Sequence, residues 1–223
     1  KIPEMRTIAG DGKGEVSIGA LTTLAEICDS TMLATQYPGF ARAVASISAP
    51  ALRNTGTIGG NLCLDTRCTY YNQNEEWRQS IDYCLKEKGD VCWVAPGSTR
   101  CWATSSTDSA PVLCALDAKV KLVSSTGERV IPLINMYVDD GIDYMTKRRD
   151  EILTELILPA AGDVRSTYWK LRRRGSIDFP VLSVGATVSV DDNNIVQACS
   201  IYLGAVRSSP TEAKAAQEYL IGK

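Results

Sequence analysis

The chain of 223 residues contains no histidine. That absence removes Ser-His-Asp and Cys-His nucleophilic catalysis, histidine-ligated zinc and haem, and histidine acid/base chemistry. No apolar run approaches the roughly 20 residues that a membrane-spanning helix needs. The opening residues Lys1-Ile2-Pro3-Glu4-Met5 begin no apolar leader segment. Neither sign of charge dominates: 24 Lys and Arg stand against 26 Asp and Glu, a net charge of −2 that does not favour nucleic acid. The expected setting is cytoplasmic and reducing, with no membrane and no nucleic-acid partner. Eight cysteines in that setting point to metal binding before disulfides. Residue 1 is not Met and reads as the tail of a connection, so the chain is expected to be part of a longer polypeptide.

What is present is concentrated between Thr57 and Asp108. Five cysteines lie there, Cys63, Cys68, Cys84, Cys92 and Cys101, with Trp77, Trp93, Trp102, Tyr70, Tyr71 and Tyr83. From Cys68 onward the spacing is C-x15-C-x7-C-x8-C. It has neither the close pairs usual for structural zinc nor the ferredoxin run, so each thiol arrives on its own turn. Gly89-Asp90 and Pro96-Gly97 supply two of those turns. Four soft thiolates suit an iron–sulfur cluster or tetrahedral zinc, and spacing alone also leaves unligated or disulfide-paired cysteines open. Cys63, Cys114, Cys28 and Cys199 read as buried thiols rather than ligands. The tryptophans either anchor loops or shield a centre from water.

The remainder reads as α+β in two parts. Glu15–Ala20 is strand-like, and Thr22 or Thr23 caps a helix through Cys28, with Glu26 placed for a capping box. Pro38 starts a second helix to about Ile47, ended by Pro50, and a turn follows at residues 51–56. A helix from Ala110 to Leu116 begins at Asp108 or Ser109 with Pro111. Lys119–Val123 and Arg129–Pro132 form a hairpin about Ser125-Thr126-Gly127-Glu128, and Glu151–Leu158 alternates as another strand. Ala160-Ala161-Gly162-Asp163 is the expected boundary. Beyond it come three strands, Ser166–Arg172, Ala186–Val190 and Ile195–Leu203, and a helix starting at Pro210-Thr211-Glu212. The expected architecture is an α/β part with a mixed or antiparallel sheet, then a smaller part with a three-stranded antiparallel sheet and helices.

Thr57-Ile58-Gly59-Gly60-Asn61 is a small-residue turn. It is either an ordinary tight turn or a cradle, in which Gly59 and Gly60 let backbone N–H groups meet a phosphate while Thr57 and Asn61 add side-chain donors. Lys170, Arg172, Arg173 and Arg174 form a basic run at a strand end, readable as a solvated edge or as a contact to a subunit or an anionic cofactor.

Taken together, several segments resemble the FAD-binding medium subunit of the molybdenum hydroxylase (xanthine dehydrogenase) family over nearly the whole chain. They are Thr57 to Cys63, Thr107 to Pro111, the strand pair Lys119 to Pro132, Glu151-Ile152-Leu153 with Leu158-Pro159, and Lys170 with Asp178-Phe179-Pro180. Most members pass directly from the Gly-Gly-Asn turn to the Asp-Ala-Pro-like helix start; here four cysteines intervene. The insert, with Asp65-Thr66-Arg67-Cys68-Thr69-Tyr70-Tyr71-Asn72-Gln73 and Tyr83-Cys84-Leu85-Lys86, is similar to that of 4-hydroxybenzoyl-CoA reductase β subunits.

The resemblance implies an oxidoreductase subunit that carries electrons and no substrate chemistry. Cys68, Cys84, Cys92 and Cys101 match the ligands of a [4Fe-4S] cluster. Thr57, Gly59, Gly60 and Asn61 match the turn near the FAD phosphates, and Asp108, Leu153 and Lys170 match further FAD contacts. Leu64 departs from relatives that carry a threonine contact. The implied partners are a molybdopterin-binding large subunit, a [2Fe-2S] small subunit and a ferredoxin-like electron donor. The implied substrate is an aromatic acyl-CoA that loses its phenolic hydroxyl; a related hydroxylase with another substrate and a zinc-stabilised binding module are the alternatives. Residues 1–159 would form the FAD-binding part, its first glycine-rich loop lying upstream of residue 1, with the iron–sulfur insert at 64–106; residues 160–223 would form an incomplete C-terminal flavoprotein part.

Overall fold

The computed structural model describes residues 3–223; the expectation that residue 1 is the tail of a connection falls on Lys1 and Ile2, which lie outside the described residues. Among the described residues two antiparallel sheets and eight short α-helices make up the fold, as the α+β reading expects. The first sheet contains β1 (Ile8–Ala9), β2 (Val16–Gly19), β3 (Lys119–Ser124), β4 (Gly127–Pro132) and β5 (Ile152–Leu158), in the order β1-β2-β5-β3-β4. Every pairing among the described residues is antiparallel, so of the mixed and antiparallel options the second is realised.

Alternation explains β3: Val120 and Leu122 are fully buried, while Lys119 faces outward. Ser124 pairs with Gly127, leaving Ser125 and Thr126 as the turn. The buried face of this sheet, with Ile18, Val120, Leu122, Leu156 and Leu158, shares one core with Ile27, Leu33, Phe40, Val44, Val112 and Leu113 from the helices.

Those helices are α1 (Leu24–Asp29), α2 (Thr31–Gln36), α3 (Pro38–Ala45), α4 (Pro50–Arg53), α5 (Ile58–Leu62), α6 (Glu75–Ser80), α7 (Ser109–Ala115) and α8 (Lys214–Leu220). The expected capping box forms: Thr23 accepts from the Glu26 N–H while Glu26 accepts from the Thr23 N–H. Three expectations are corrected. A further helix, α2, precedes Pro38, capped by Ser30 accepting from the Leu33 N–H. Pro50 does not end α3, which stops at Ala45; it opens α4 at its first turn, where a missing N–H costs nothing. The insert carries its own helix, α6, capped by Asn74. All three helices have six residues or fewer, too short for apolar periodicity to register.

The second sheet holds β6 (Arg165–Leu171), β7 (Leu182–Val190), β8 (Val196–Gly204) and β9 (Thr211–Glu212), in sequence order. It has four strands rather than three. Thr211-Glu212 does not start the last helix but pairs with Tyr202 and Leu203 at the sheet edge, and α8 begins at Lys214. A β-branched threonine after a proline fits an edge strand better than a first helical turn. Thr187 of β7 donates to the Ala115 carbonyl at 2.9 Å, and this bond ties the second sheet to α7. No helix among the described residues is long and apolar enough to cross a membrane.

Candidate functional site

The insert is held at its neck by a two-way backbone pair: Arg67 N–H to Thr104 O and Thr104 N–H to Arg67 O, both 2.8 Å. Beyond the neck Cys68, Cys84 and Cys92 each open a turn, while the Cys101 carbonyl accepts from the Gly141 N–H. The Cys68 carbonyl accepts from Tyr71 and Asn72, the Cys84 carbonyl from Glu87 and Gly89, and the Cys92 carbonyl from Ala95. Asp82 and Tyr83 both take positive φ, 57° and 61°, and so reverse the chain between α6 and Cys84.

These turns bring the four expected ligands together. Cys68, Cys84, Cys92 and Cys101 line one small cavity of about 10 Å³, and all but Cys68 are buried. Burial pushes the Cys101 thiol up, and the Ala103 N–H on its sulfur at 3.4 Å opposes that. Among the described residues no three His, Cys, Asp or Glu side chains converge closely enough for one ion. The thiols surround a space instead. By its chemistry an all-sulfur donor set suits an iron–sulfur centre or tetrahedral zinc.

All eight cysteines are free thiols, which sets the disulfide reading aside. Cys114 is buried on α7 and pushed far up by burial, and Cys199 donates its S–H to the Gln217 carbonyl at 3.5 Å. Cys63 caps the end of α5 and lies outside the cysteine cavity.

The tryptophans divide. Trp93 lines the cysteine cavity and donates to the Tyr83 carbonyl at 2.5 Å. Trp77 packs against Tyr70, and Trp102 donates to Ser98 beneath the Arg100 guanidinium. Only Trp93 of the three is placed to shield the cavity.

At the flavin-like end, the turn predicted from Thr57 to Asn61 is the start of a helix. Thr57 is the N-cap of α5 and its hydroxyl accepts from the Gly60 N–H at 3.1 Å. The neighbouring N–H groups are paired as well: Ile58 to Thr22 O, Gly59 to Ala20 O and Asn61 to Thr57 O. The cradle of free N–H groups is therefore not formed. Gly59 serves packing, since a Cβ there would stand 2.8 Å from both the Cβ and the carbonyl oxygen of Ala20. Gly60 is exposed, and a Cβ there would meet only the Thr57 hydroxyl. It leaves bare backbone where a cofactor can approach.

Asn61 uses its side-chain oxygen inside the fold. Its Oδ1 accepts from Thr107 Oγ1 at 2.8 Å and Ser109 Oγ at 2.5 Å, joining the two ends of the insert. Asp108 and Lys170 form a buried ion pair at 3.1 Å, their side chains 5% and 4% exposed. Tyr168 donates to Asp108 at 2.6 Å, and Lys170 also reaches the Ser46 carbonyl. Burial pushes the Asp108 carboxyl above its ordinary value, opposed by Lys170 and by Tyr168. Leu153 is buried in the core opposite Leu122, so no more than its backbone is available to a ligand.

Asn61 and Asp108 line one cavity of about 100 Å³ with Ser106 and Leu64, closed by Ile177, Asp178 and Phe179. Ligand pockets of about 300 Å³ or more are the rule. This cavity, as it stands, is too small for a flavin ring. The Ser106 hydroxyl is buried with no partner, an orphan donor lining this cavity and the adjoining larger cleft. Of the basic run, only Lys170 is buried. Arg172, Arg173 and Arg174 are exposed, and the backbones of Arg173 and Arg174 donate to Asp178. Arg67 stacks on Phe179 at 4.1 Å, linking the insert to that segment.

Sequence reasoning gave no role to Lys86, Ser106 or Gly141. Gly141 sits 75 residues from Thr66, whose hydroxyl donates to its carbonyl, and a Cβ on it would lie 2.6 Å from the Cys101 sulfur. No local pattern marks such a long-range contact.

Residues 1–161 match the FAD binding domain in molybdopterin dehydrogenase, and residues 166–223 match the CO dehydrogenase flavoprotein C-terminal domain. The chain is 28% identical over 231 residues to the nicotinate dehydrogenase FAD-subunit of Eubacterium barkeri, covering 100% of this chain and 62% of that protein. It is 28% identical to the aldehyde oxidoreductase FAD-binding subunit of Escherichia coli K12, covering 93% and 66%. The solved carbon monoxide dehydrogenase of Hydrogenophaga pseudoflava lacking its Mo-pyranopterin moiety shares the fold, with a TM-score of 0.74 at 23% identity, covering 100% of this chain and 63% of that one. The chain thus spans a little under two thirds of the relatives it matches. With most of its length matched by the family and its fold shared with a solved member, the chain belongs to the FAD-binding domain family of molybdopterin dehydrogenases.

Proposed function

We propose that the chain is the electron-transfer subunit of a molybdenum hydroxylase-family oxidoreductase, carrying FAD and a [4Fe-4S] cluster, with 4-hydroxybenzoyl-CoA reductase as the specific assignment. The observation that carries the cluster is the single cavity lined by Cys68, Cys84, Cys92 and Cys101. A lone zinc would draw its sulfurs to within about 2.3 Å of one point. The four cysteines contain none of the close C-x2-4-C pairs usual for structural zinc, which favours a cluster.

In this reading residues 1–159 are the FAD-binding part, 64–106 the cluster insert and 160–223 the C-terminal part. When bound, the cluster and the flavin supply electron exchange at potentials that protein surroundings tune over a wide range. The chain's own residues do the rest. The four cysteines hold, Trp93 and Tyr71 exclude water, and Thr57 with Gly60 presents an open backbone to the cofactor. The Asp108–Lys170 pair fixes the floor beneath. The substrate chemistry belongs to a molybdopterin-binding large subunit, with a [2Fe-2S] small subunit and a ferredoxin-like donor as the other partners.

Anaerobic purification with iron, sulfide, zinc and flavin analysis tests this. The expected product is brown, with iron and acid-labile sulfide in equal amounts. A colourless protein containing zinc and no iron would sink it. The names of the relatives favour one competing assignment, a hydroxylase acting on a different substrate such as nicotinate or an aldehyde. Turnover by the assembled complex with 4-hydroxybenzoyl-CoA, set against those compounds, separates the two.

A further inference from the structure

Lys86 is the one lysine lining the cysteine cavity, and its surroundings are unusual. Its side chain is only 6% exposed. The ammonium makes three hydrogen bonds: to Asp65 Oδ1 at 2.6 Å, Thr66 Oγ1 at 2.5 Å and the Gly141 carbonyl at 2.7 Å. Those account for all three of its donors. The rings of Tyr71 and Tyr144 cover it at 4.9 and 5.3 Å.

As a mere strut the charge is unnecessary. Thr66 already donates to the Gly141 carbonyl, so that carbonyl has a partner without Lys86. Burying an ammonium costs several kcal/mol in effective terms, and only a well-placed opposite charge offsets it. Its one carboxylate partner, Asp65, is 51% exposed, so water screens that charge more than it screens the lysine. A net positive charge is left inside the wall of the cysteine cavity.

We propose that Lys86 sets the reduction potential of the centre held by Cys68, Cys84, Cys92 and Cys101. Four thiolates give a bound cluster a net negative charge, and reduction adds one more. A buried cation in the same wall favours the reduced form because the local dielectric is low. Cluster potential follows net charge, hydrogen bonding and exposure, and Lys86 acts through the first. The proposal rests on the cluster reading above. Lys86 ligates nothing; its part is to bias the electron affinity of its neighbour.

The experiment is a potentiometric titration followed by electron paramagnetic resonance, on the anaerobically purified protein with its partner subunits, in wild type, Lys86→Met, Lys86→Arg and Asp65→Asn. Iron and sulfide analysis comes first. A wild type without iron removes the cluster reading and this proposal with it. With the cluster present, Lys86→Met is expected to shift the reduction equilibrium at least tenfold towards the oxidised form, about 59 mV for one electron. Lys86→Arg restores most of the shift. Asp65→Asn moves the potential the opposite way and by less, because its charge is half in water. A fully loaded Lys86→Met at the wild-type potential overturns the proposal, as does Asp65→Asn shifting in the same direction as Lys86→Met. Should Lys86→Met assemble no cluster, Asp65→Asn decides: an upward shift supports the proposal and an unchanged potential overturns it.

Discussion

Ser109 donates its hydroxyl to Asn61 Oδ1 at 2.5 Å across 48 positions of sequence, and the whole cysteine insert hangs between them. The same oxygen accepts from Thr107. The fold thus treats the insert as a closed loop on a continuous flavin-domain core, with α5 and α7 meeting beneath it. Replacing Asn61 with Ala removes the acceptor for two buried hydroxyls. The expected cost is about 1–3 kcal/mol, seen as a lower denaturant midpoint at unchanged slope. A midpoint equal to wild type would mean that the Asn61 bridge does not hold the insert's base.

Cysteine replacement separates ligand from bystander. Serine at Cys68, Cys84, Cys92 or Cys101 is expected to lower iron and sulfide content sharply while leaving flavin content near wild type. Serine at Cys63 is expected to leave both unchanged, because that thiol lies outside the cavity. Iron retained in Cys84→Ser would overturn the ligand set.

Gly141 presses directly on the cluster loop. A Cβ there would stand 2.6 Å from the Cys101 sulfur and 2.8 Å from the Ala103 nitrogen. Gly141→Ala must displace Cys101 or the backbone beside it, at an expected cost of about 1–3 kcal/mol. Iron content should fall along with the melting temperature, a combination that thermal denaturation and metal analysis of one preparation can check.

Lys170→Met leaves the Asp108 carboxylate buried with Tyr168 as its remaining side-chain donor. Breaking one side of a buried pair costs about 3–5 kcal/mol. The double variant Asp108→Asn with Lys170→Met is expected to be more stable than Lys170→Met alone, since the uncompensated charge is gone. Denaturation curves of the two variants and of wild type form the measurement; equal stability of single and double variants would show that the pair is uncoupled.

Glu151 gives an acid-stability prediction. Arg129 holds it bidentately at 2.7 and 2.9 Å, and the Arg148 N–H adds a third bond. The Arg129 hydrogen bonds come first among the causes that hold its carboxyl down to about 2 from an ordinary 4.5. A depressed folded value means the contribution is full above about 4.5 and is lost as pH falls from there to about 2. Glu151→Gln is therefore expected to flatten the stability profile within that window and lower stability above it. Melting temperatures across pH 2 to 7 test it; a profile of unchanged slope below 4.5 would assign the acid sensitivity to other carboxylates.

Local chemistry made much of the fold legible. The Thr23–Glu26 capping box, the alternation of β3 and Pro38 at a helix start are decided by neighbours in sequence and form as read. The hairpin forms with a tighter turn, Ser125-Thr126, and β5 loses its alternation where its register against β3 shifts. The short helices α2, α4 and α6 escaped because six residues or fewer give no periodicity. Strand β9 escaped because two residues pair only when a neighbouring edge is supplied.

By itself, the sequence determined which residues could carry chemistry: no histidine, eight thiols, four of them widely spaced within one loop. It also carried the family, through short motifs of fixed order. Tertiary structure decided how those residues are used. It gathered four cysteines around one space, turned the Gly59-Gly60 segment from a cradle into a capped helix, and pointed Asn61 inward to close the insert. It placed the Lys86 charge in the cavity wall against Asp65, Thr66 and the Gly141 carbonyl. Such pairings depend on burial and on contacts many residues apart, where desolvation and unmet hydrogen bonds set the energies, and no local pattern encodes them.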